Sequence, residues 1–578
     1  MTPRTSAGPP WASLPLKLPS LLHEFSILIS GLALFYGVLS LTRYWTGQVN
    51  TQAEIHLVPS ALPKYAFFSL ARIGIAYLLS LCVSVGYGYL AARNRTAERF
   101  MIPLLDTLQS IPVLSFLPPV MVGMVALFPT RQLGVELGSI VLIFTGQVWN
   151  MAFSVYASMR NIPREMLEAA QIYRMTRLQR FFQLELPHAT IGLVWNSMMS
   201  VAGGWFFLMA CEMFVLGSRD FRLPGLGSYL QTAANAGDTA AVLWGVVTMI
   251  AVIVLIDQMI WRPLIAWSEK FKFEQVEASQ KPRSPILDWL RQSRVLSRIG
   301  HVLDPVREWL RRGSIAPNIS DARRSSAKLW RTRTAQSLGL AALALVAYSV
   351  LKMGIMLAAL TAADLRTIVV GAGATFLRVE TTLVLAGLWT IPVGVSIGSR
   401  PRLAALAQPV AQIAASVPAT ALFPIILLVL IRAGGGLGIG SMVLLLLGTQ
   451  WYVLFNVIAG ASAIPSDLKE VTAIFHLGTV ERWKKLLLPA IFPYLITGFV
   501  TASGGAWNAS IVAEYFRFHG HTFTITGLGA SISRATDTGN FPMLLAGTLI
   551  MAALVVTINR LLWRRLYGLA STRFKLET

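Results

Sequence analysis

Cysteine is nearly absent from this 578-residue chain: Cys82 and Cys211 are the only two, both inside apolar runs and without a C-x-x-C or histidine neighbour. That excludes a disulfide framework and a thiolate metal centre. Charge is scarce too, at 13% of residues, against 54% hydrophobic residues. A chain so composed has lipid as its main solvent. No Gly-x4-Gly-Lys-Ser/Thr phosphate loop occurs, no His-Glu-x-x-His and no nucleophile elbow, so neither ATP hydrolysis nor another catalytic or metal site is expected on this chain, and no cofactor. The net charge of +22 does not point to nucleic acid, because the Lys and Arg residues lie in short loops and one linker beside apolar spans.

What is present is a succession of apolar windows, each near the roughly 20 residues that cross a bilayer. In the first half they cover 25–42, 73–92, 107–130, 140–159, 189–211 and 239–256; in the second, 334–351, 381–399, 403–431, 437–460, 486–513 and 541–559. The expected fold is an all-α polytopic membrane protein of about 12 transmembrane helices, in two six-helix halves. Pro112, Pro118, Pro418 and Pro424 mark windows where a break or re-entrant bend is expected. The divisions are a disordered tail (1–20), a first half (21–268), a basic linker (269–333) and a second half (334–578). No cleavable signal precedes the first window, which is expected to remain as a span.

Orientation follows from the basic loops, Arg93 to Arg99, Arg160 to Arg180, Arg400 to Arg402, Lys469 to Lys485 and Arg560 to Lys575. They alternate with the spans so that all fall on one side, which places both termini in the cytoplasm. In the linker, Leu296, Ile299, Leu303, Val306 and Leu310 repeat at helical spacing between arginines, the pattern of a helix lying on an anionic leaflet.

The halves are related in sequence. Trp149/Trp451, Pro163/Pro465, Glu168/Glu470, Pro187/Pro489, Trp205/Trp507, Glu212/Glu514 and the pairs Trp261-Arg262/Trp563-Arg564 share one offset of 302 residues. Upstream, Pro112/Pro418 and Pro118/Pro424 are 306 apart, so the first half carries four additional residues in the following loop. With an even number of spans per half, both repeats enter the membrane alike and pack about an axis along its normal.

After the fourth span of each half comes a segment of about 30 residues, long for a connection. The first reads Ile162-Pro163-Arg164-Glu165-Met166-Leu167-Glu168-Ala169-Ala170 and runs to Leu186-Pro187. The second reads Ile464-Pro465-Ser466-Asp467-Leu468-Lys469-Glu470-Val471-Thr472 and runs to Leu488-Pro489. Both resemble the Glu-Ala-Ala loop of bacterial ABC importer permeases. Ala506 to Glu514 and the Gly-Leu-Gly runs at Gly225 and Gly527 are similar to the nitrate, sulfonate, taurine and bicarbonate group within it. The resemblance implies a type I importer permease fold in the bacterial inner membrane. It also implies coupling to two copies of a cytoplasmic ATPase, which binds the ATP, and delivery of a small anion or organic solute by a periplasmic or extracellular binding protein. The coupling residues it designates are Pro163, Glu168, Ala169, Ala170 and Pro187, with Pro465, Glu470, Val471, Thr472 and Pro489. The family has a glycine six residues after the glutamate; here Arg174 and His476 stand there.

For the pathway, Gln147, Trp149, Trp205, Gln450, Trp451, Trp507 and Asn508 place aromatic and polar groups along the expected seam. Glu212 and Glu514, charges at the outer ends of apolar spans, are expected to shape the mouth or to pair with Arg219 and Arg517. The alternatives from other classes are a secondary transporter of 6+6 helices and a non-transporting membrane scaffold.

Overall fold

The computed structural model describes residues 54–129, 132–216, 219–271, 347–464, 466–518 and 521–573, with short pieces at 44–45, 286–288 and 344. The N-terminal tail, the whole first apolar window, most of the seventh, the amphipathic linker stretch and Pro465 lie outside the described residues. In the first half α1 (Leu62–Arg93), α2 (Arg95–Ser110), α3 (Leu117–Leu127) and α4 (Leu133–Arg160) lead to a short α5 (Arg164–Ile172). The long α6 (Arg177–Glu212), α7 (Leu226–Ala236) and α8 (Thr239–Ser268) complete it. The second half repeats the order after the short apolar α9 (Ala347–Ala358): α10 (Ala362–Gly398), α11 (Pro401–Ser416), α12 (Ala419–Arg432), α13 (Leu437–Ser462), α14 (Ser466–Ile474), α15 (Thr479–Ala513), α16 (Leu528–Thr538) and α17 (Phe541–Ala570). Among the described residues eight helices are long and apolar enough to span: α1, α4, α6, α8, α10, α13, α15 and α17.

The windows 107–130 and 403–431 are not single helices. Ile111 and Val417 sit in extended backbone (ψ 128° and 119°), one residue before Pro112 and Pro418. A proline's ring crowds the preceding residue out of the helical region, so the chain breaks there in both halves. Pro118 falls in the first turn of α3, where its missing N–H costs nothing, and Pro424 is carried inside α12.

Two small antiparallel hairpins add to the helical fold, β1 (Met213–Leu216) with β2 (Arg219–Arg222) and β3 (Tyr515–Phe518) with β4 (His521–Thr524). Each follows the glutamate that ends α6 or α15. Single π turns interrupt four spans at repeat-related places, Phe181–Glu185 and Trp483–Leu487, Asp257–Trp261 and Asn559–Trp563. The first two lie just before Pro187 and Pro489, where the widened turn accommodates a residue that cannot donate to the preceding turn.

Within each half the core is a triad, α1 with α4 and α6, and α10 with α13 and α15. Close approach depends on small residues: a Cβ on Gly88 would lie 2.6 Å from Val155, and one on its counterpart Gly394 2.7 Å from Val457. Between halves the packing is crossed. α8 meets α11 and α12, α17 meets α2, and β1 and β3 rest on α16 and α7 of the opposite half. The seam therefore runs along the two proline breaks.

Candidate translocation and coupling sites

At the hairpin end of each core triad lies a buried ion pair that ties three elements together. Arg72 on α1 makes a bidentate pair with Glu136 of α4 (2.6 and 2.7 Å) and also donates to Glu212 (2.8 Å) and to the Pro224 carbonyl (2.9 Å). Glu212 further accepts from the Ser69 hydroxyl (2.6 Å) and the Gly227 N–H (2.6 Å). In the second half Arg378 donates to Glu514 and, at 3.1 Å, to the Thr526 carbonyl. Glu514 accepts from Thr375 (2.7 Å) and the Gly529 N–H (2.8 Å). The Gly-Leu-Gly runs thereby acquire a physical reason. A Cβ on Gly225 or Gly527 would fall 2.2 or 2.1 Å from the glutamate's carboxyl group, and the next glycine's N–H is one of its donors.

Two expectations are corrected here. Glu212 and Glu514 are fully buried and do not shape an open mouth. Their partners are Arg72 and Arg378, more than 130 residues away, in place of Arg219 and Arg517 on the adjoining hairpins. The reason is geometric: each carboxylate lies at the end of its helix facing the core, where α1 or α10 supplies a guanidinium. The halves also differ, since the position equivalent to Glu136 is Gly438. Arg72 faces two carboxylates and Arg378 one.

Below the hairpins a cavity of about 210 Å³ lies on the seam, lined from both halves. Leu114, Leu117 and Pro118 bring the first proline break to it, Thr420 brings the second, and α6, α7, α15 and α16 close its sides. None of the nine pathway candidates borders it. Trp205 and Trp507 are core residues, 2% and 0% exposed, and Glu212 and Glu514 belong to the ion pairs. Gln147 is buried in the first half, where its carboxamide fits because residue 204 is glycine; a Cβ there would sit 2.4 Å from Nε2. At the equivalent positions Thr449 and Ala506 exchange the sizes, and Thr449 satisfies its hydroxyl on the Leu445 carbonyl (2.7 Å). Gln450 is buried, and Trp149 and Trp451 are partly buried. Asn508 alone bridges the halves: its Oδ1 accepts from the Val113 N–H (2.7 Å), a donor left without a helical partner by the Pro112 break. Thr420, Tyr515, Ser533 and Asp537 belong to no motif that the sequence shows, since isolated polar residues carry none.

At the other end of the spans, the two long loops take the same form. α5 and α14 are short helices, and each is followed by a second helical turn leading into α6 or α15. Ala170 and Thr472 are buried on the inner side, whereas Glu168 and Glu470 are exposed, as are Pro163 and Val471; Ala169 is partly buried. Ile172, Tyr173 and Leu178 stand 79%, 78% and 53% exposed, and their counterparts Ile474, Phe475 and Val480 stand 71%, 73% and 65% exposed. In the first half a buried carboxylate anchors the loop's exit: Glu185 pairs with Arg180 (2.8 Å) and with Arg93 at the end of α1. The second half has Leu487 and Ser399 in place of Glu185 and Arg93.

Residues 84–260 and 390–574 each match the family described as binding-protein-dependent transport system inner membrane component. The chain belongs to this family. It carries the family's domain twice, with the type I ABC permease fold, and is a membrane transport component, not an enzyme; the secondary-transporter alternative falls away. Curated relatives match about a third of it. A nitrate import permease protein (NrtB) of Leptolyngbya laminosa is 22% identical over 193 residues, 33% of this chain and 64% of the relative. A bicarbonate transport system permease protein (CmpB) of Synechococcus elongatus is 28% identical over 203 residues, 35% and 66%. A glycine betaine transport system permease protein (OpuAB) of Bacillus subtilis is 24% identical over 191 residues, 33% and 62%. The chain thus spans a little under two thirds of the length of these relatives.

Both loop helices end in the same backbone turn. Arg174 (φ 49°) and His476 (φ 47°) are the two non-glycine residues with positive φ among the described residues. Each ends its loop helix in left-handed conformation, and the next N–H closes back onto the helix, Met175 to the Ala170 carbonyl (3.0 Å) and Leu477 to that of Thr472 (3.1 Å). That is the terminating turn glycine favours. Here Arg174 and His476 adopt it.

Proposed function

We propose that this chain is a translocation unit of an ATP-binding-cassette importer, two permease halves fused into one polypeptide. Its two long loops dock onto two copies of a cytoplasmic ATPase, which binds and hydrolyses the ATP, and a periplasmic or extracellular binding protein delivers a small anion or organic solute to the opposite face. Both termini lie in the cytoplasm, on the side of the basic loops. The observation that carries this reading is the duplicated apolar patch. Three large side chains at repeat-related positions are left more than half exposed, two at the end of each loop helix and one in the first turn of the long helix that follows. Exposed apolar groups clustered and repeated in this way mark a protein contact. Glu168 and Glu470 sit beside these patches as exposed charges.

The test is co-expression with an ATPase subunit encoded nearby, purification in detergent, and measurement of bound ATPase and hydrolysis. Tyr173→Asp with Phe475→Asp, and Glu168→Arg with Glu470→Arg, are expected to release the ATPase or uncouple its hydrolysis while the permease remains monodisperse. Retention of both copies with unchanged hydrolysis in both double variants would refute docking at these loops and favour a non-transporting scaffold.

A further inference from the structure

Two polar side chains in the interior of the first half have nothing in the chain to bond. Gln147 on α4 and Ser200 on α6 are 0% and 1% exposed. The Nε2 and Oε1 of the one and the hydroxyl of the other have no hydrogen-bond partner among the described residues. Buried polar atoms are satisfied almost without exception, by protein or by ordered water, because leaving one bare forfeits its whole hydration.

The register of the crossing brings the two side chains together. Ser197 donates to the Met151 sulfur (3.2 Å), and a Cβ on Gly204 would lie 2.4 Å from Gln147 Nε2. Ser197 and Gly204 are about two turns apart on the face of α6 that meets α4. Ser200 stands between them, opposite the turn of α4 that runs from Gln147 to Met151. Residues four apart on a helix have Cβ positions about 5–6 Å from each other, so the carboxamide resting on Gly204 and the Ser200 hydroxyl are separated by about the span of two hydrogen bonds meeting at one atom.

The second half has neither group. Its equivalents of Gln147, Ser200 and Gly204 are Thr449, Ala502 and Ala506. Thr449 donates to the Leu445 carbonyl (2.7 Å), and both alanines are fully buried. The amide and the hydroxyl are exchanged as a set, the behaviour of groups that serve one ligand.

Their mixed character names that ligand. Nε2 has two protons to give, Oε1 has only lone pairs, and the hydroxyl has one proton and two lone pairs. An anion held by Nε2 would face Oε1, and a cation held by Oε1 would face Nε2. A small neutral molecule that both donates and accepts satisfies all three atoms. We propose that Gln147 and Ser200 hold a bound water molecule that bridges α4 and α6, the helices on either side of the first loop, in the first half alone. Neither residue borders the seam cavity, and the site does not depend on docking of an ATPase.

For the test, hydroxyl radicals are generated by X-ray pulses in the purified full chain in detergent, where they arise at bound water as well as in bulk, and oxidation of each methionine is followed by mass spectrometry. Met151 should be oxidised severalfold faster than Met249 and Met551, which are equally buried. The excess should be lost in the triple variant Gln147→Thr, Ser200→Ala, Gly204→Ala, which imports the second half's residues. A density map of the wild type fine enough to show ordered water should carry a peak within hydrogen-bonding distance of both side chains, a measurement that needs no variant to fold. Exchange of sodium for choline in the buffer should leave the rate and the peak unchanged. Oxidation of Met151 at the control rate, an excess that persists in the triple variant, a direct bond between Gln147 and Ser200, a Ser200 hydroxyl turned onto its own helix, or a peak that depends on sodium would each overturn the proposal.

Discussion

Replacing Arg72 by methionine keeps the length of the side chain and removes its charge, leaving Glu136 and Glu212 facing each other with no cation between them. All three side chains are at most 1% exposed, so water cannot take over from the guanidinium. Breaking one buried pair by removing a partner costs about 3–5 kcal/mol, and here two carboxylates are stranded by one substitution. The repeat supplies its own control. Arg378→Met strands Glu514 alone, and the Arg378 side chain is 12% exposed, so its loss belongs at the lower end of that range. Glu514 also keeps its bonds from Thr375 and Gly529. Thermal midpoints of the purified chain in detergent, followed by loss of the monodisperse peak, should fall in the order wild type, Arg378→Met, Arg72→Met. The triple variant Arg72→Met, Glu136→Gln, Glu212→Gln should recover most of the loss, because the charges go together. Equal midpoints for the two single variants, or no recovery in the triple, would refute the assignment of the energy to stranded charge.

The remaining predictions concern the same repeat-related pairs. Arg174→Gly and His476→Gly relieve a left-handed residue of its Cβ and should each stabilise the loop by about 1 kcal/mol, seen as slower hydrogen exchange of Met175 and Leu477; Arg174→Val should do the opposite. Gly225→Ala and Gly527→Ala place a methyl group on a carboxylate held by several donors, and both should lower the yield of folded chain, with a Ser69→Ala background failing to rescue either. Arg93→Ala with Arg180→Ala leaves Glu185 buried without a cation and should cost about 3 kcal/mol. Glu185→Leu, which imports the second half's residue, should cost under about 1 kcal/mol in the same thermal assay, since Arg93 is 35% exposed and regains water.

The repeat, eight of the twelve expected spans, the proline breaks and the two loops could be read from the chain, because apolar length, proline chemistry and a constant offset are local signals. The loop glycine's replacement was legible as a departure, and the backbone explains it: the left-handed turn is held by its hydrogen bonds even when Arg174 or His476 must adopt it. The ion pairs were not legible as pairs. Glu212 was visible as a charge at a span's end, but its nearest arginine in sequence was the wrong one, since the partner comes from a helix 140 residues earlier. A signal did exist, for Arg72 and Arg378 share the 306-residue offset of the two proline breaks. The tryptophans misled for a related reason. Repeat-related bulky residues mark the conserved geometry of each half's core, while the seam is where the halves diverge and repetition is lost.

That divergence is what the fusion permits. In a permease made from two copies of one chain, every residue at the axis meets its own image, and the cavity walls, the hairpin-end ion pairs and the loop anchors must be alike on both sides. Here Glu136 is answered by Gly438, Glu185 by Leu487, and Leu114 by Thr420. The first half carries the charges that brace its hairpin and loop ends; the second carries the polar side of the cavity and, through Asn508, caps the break at Val113 in its neighbour. Exchanging Leu114 and Thr420 in one double variant separates position from composition. If the cavity recognises a solute by having unlike walls, Leu114→Thr with Thr420→Leu should shift the preferred orientation of a two-ended solute and spare the fold. Leu114→Thr alone, which puts a hydroxyl at both repeat-related positions while the other wall residues still differ, should weaken that orientation preference, read as protection of a cysteine placed at Ser533 by the two-ended solute.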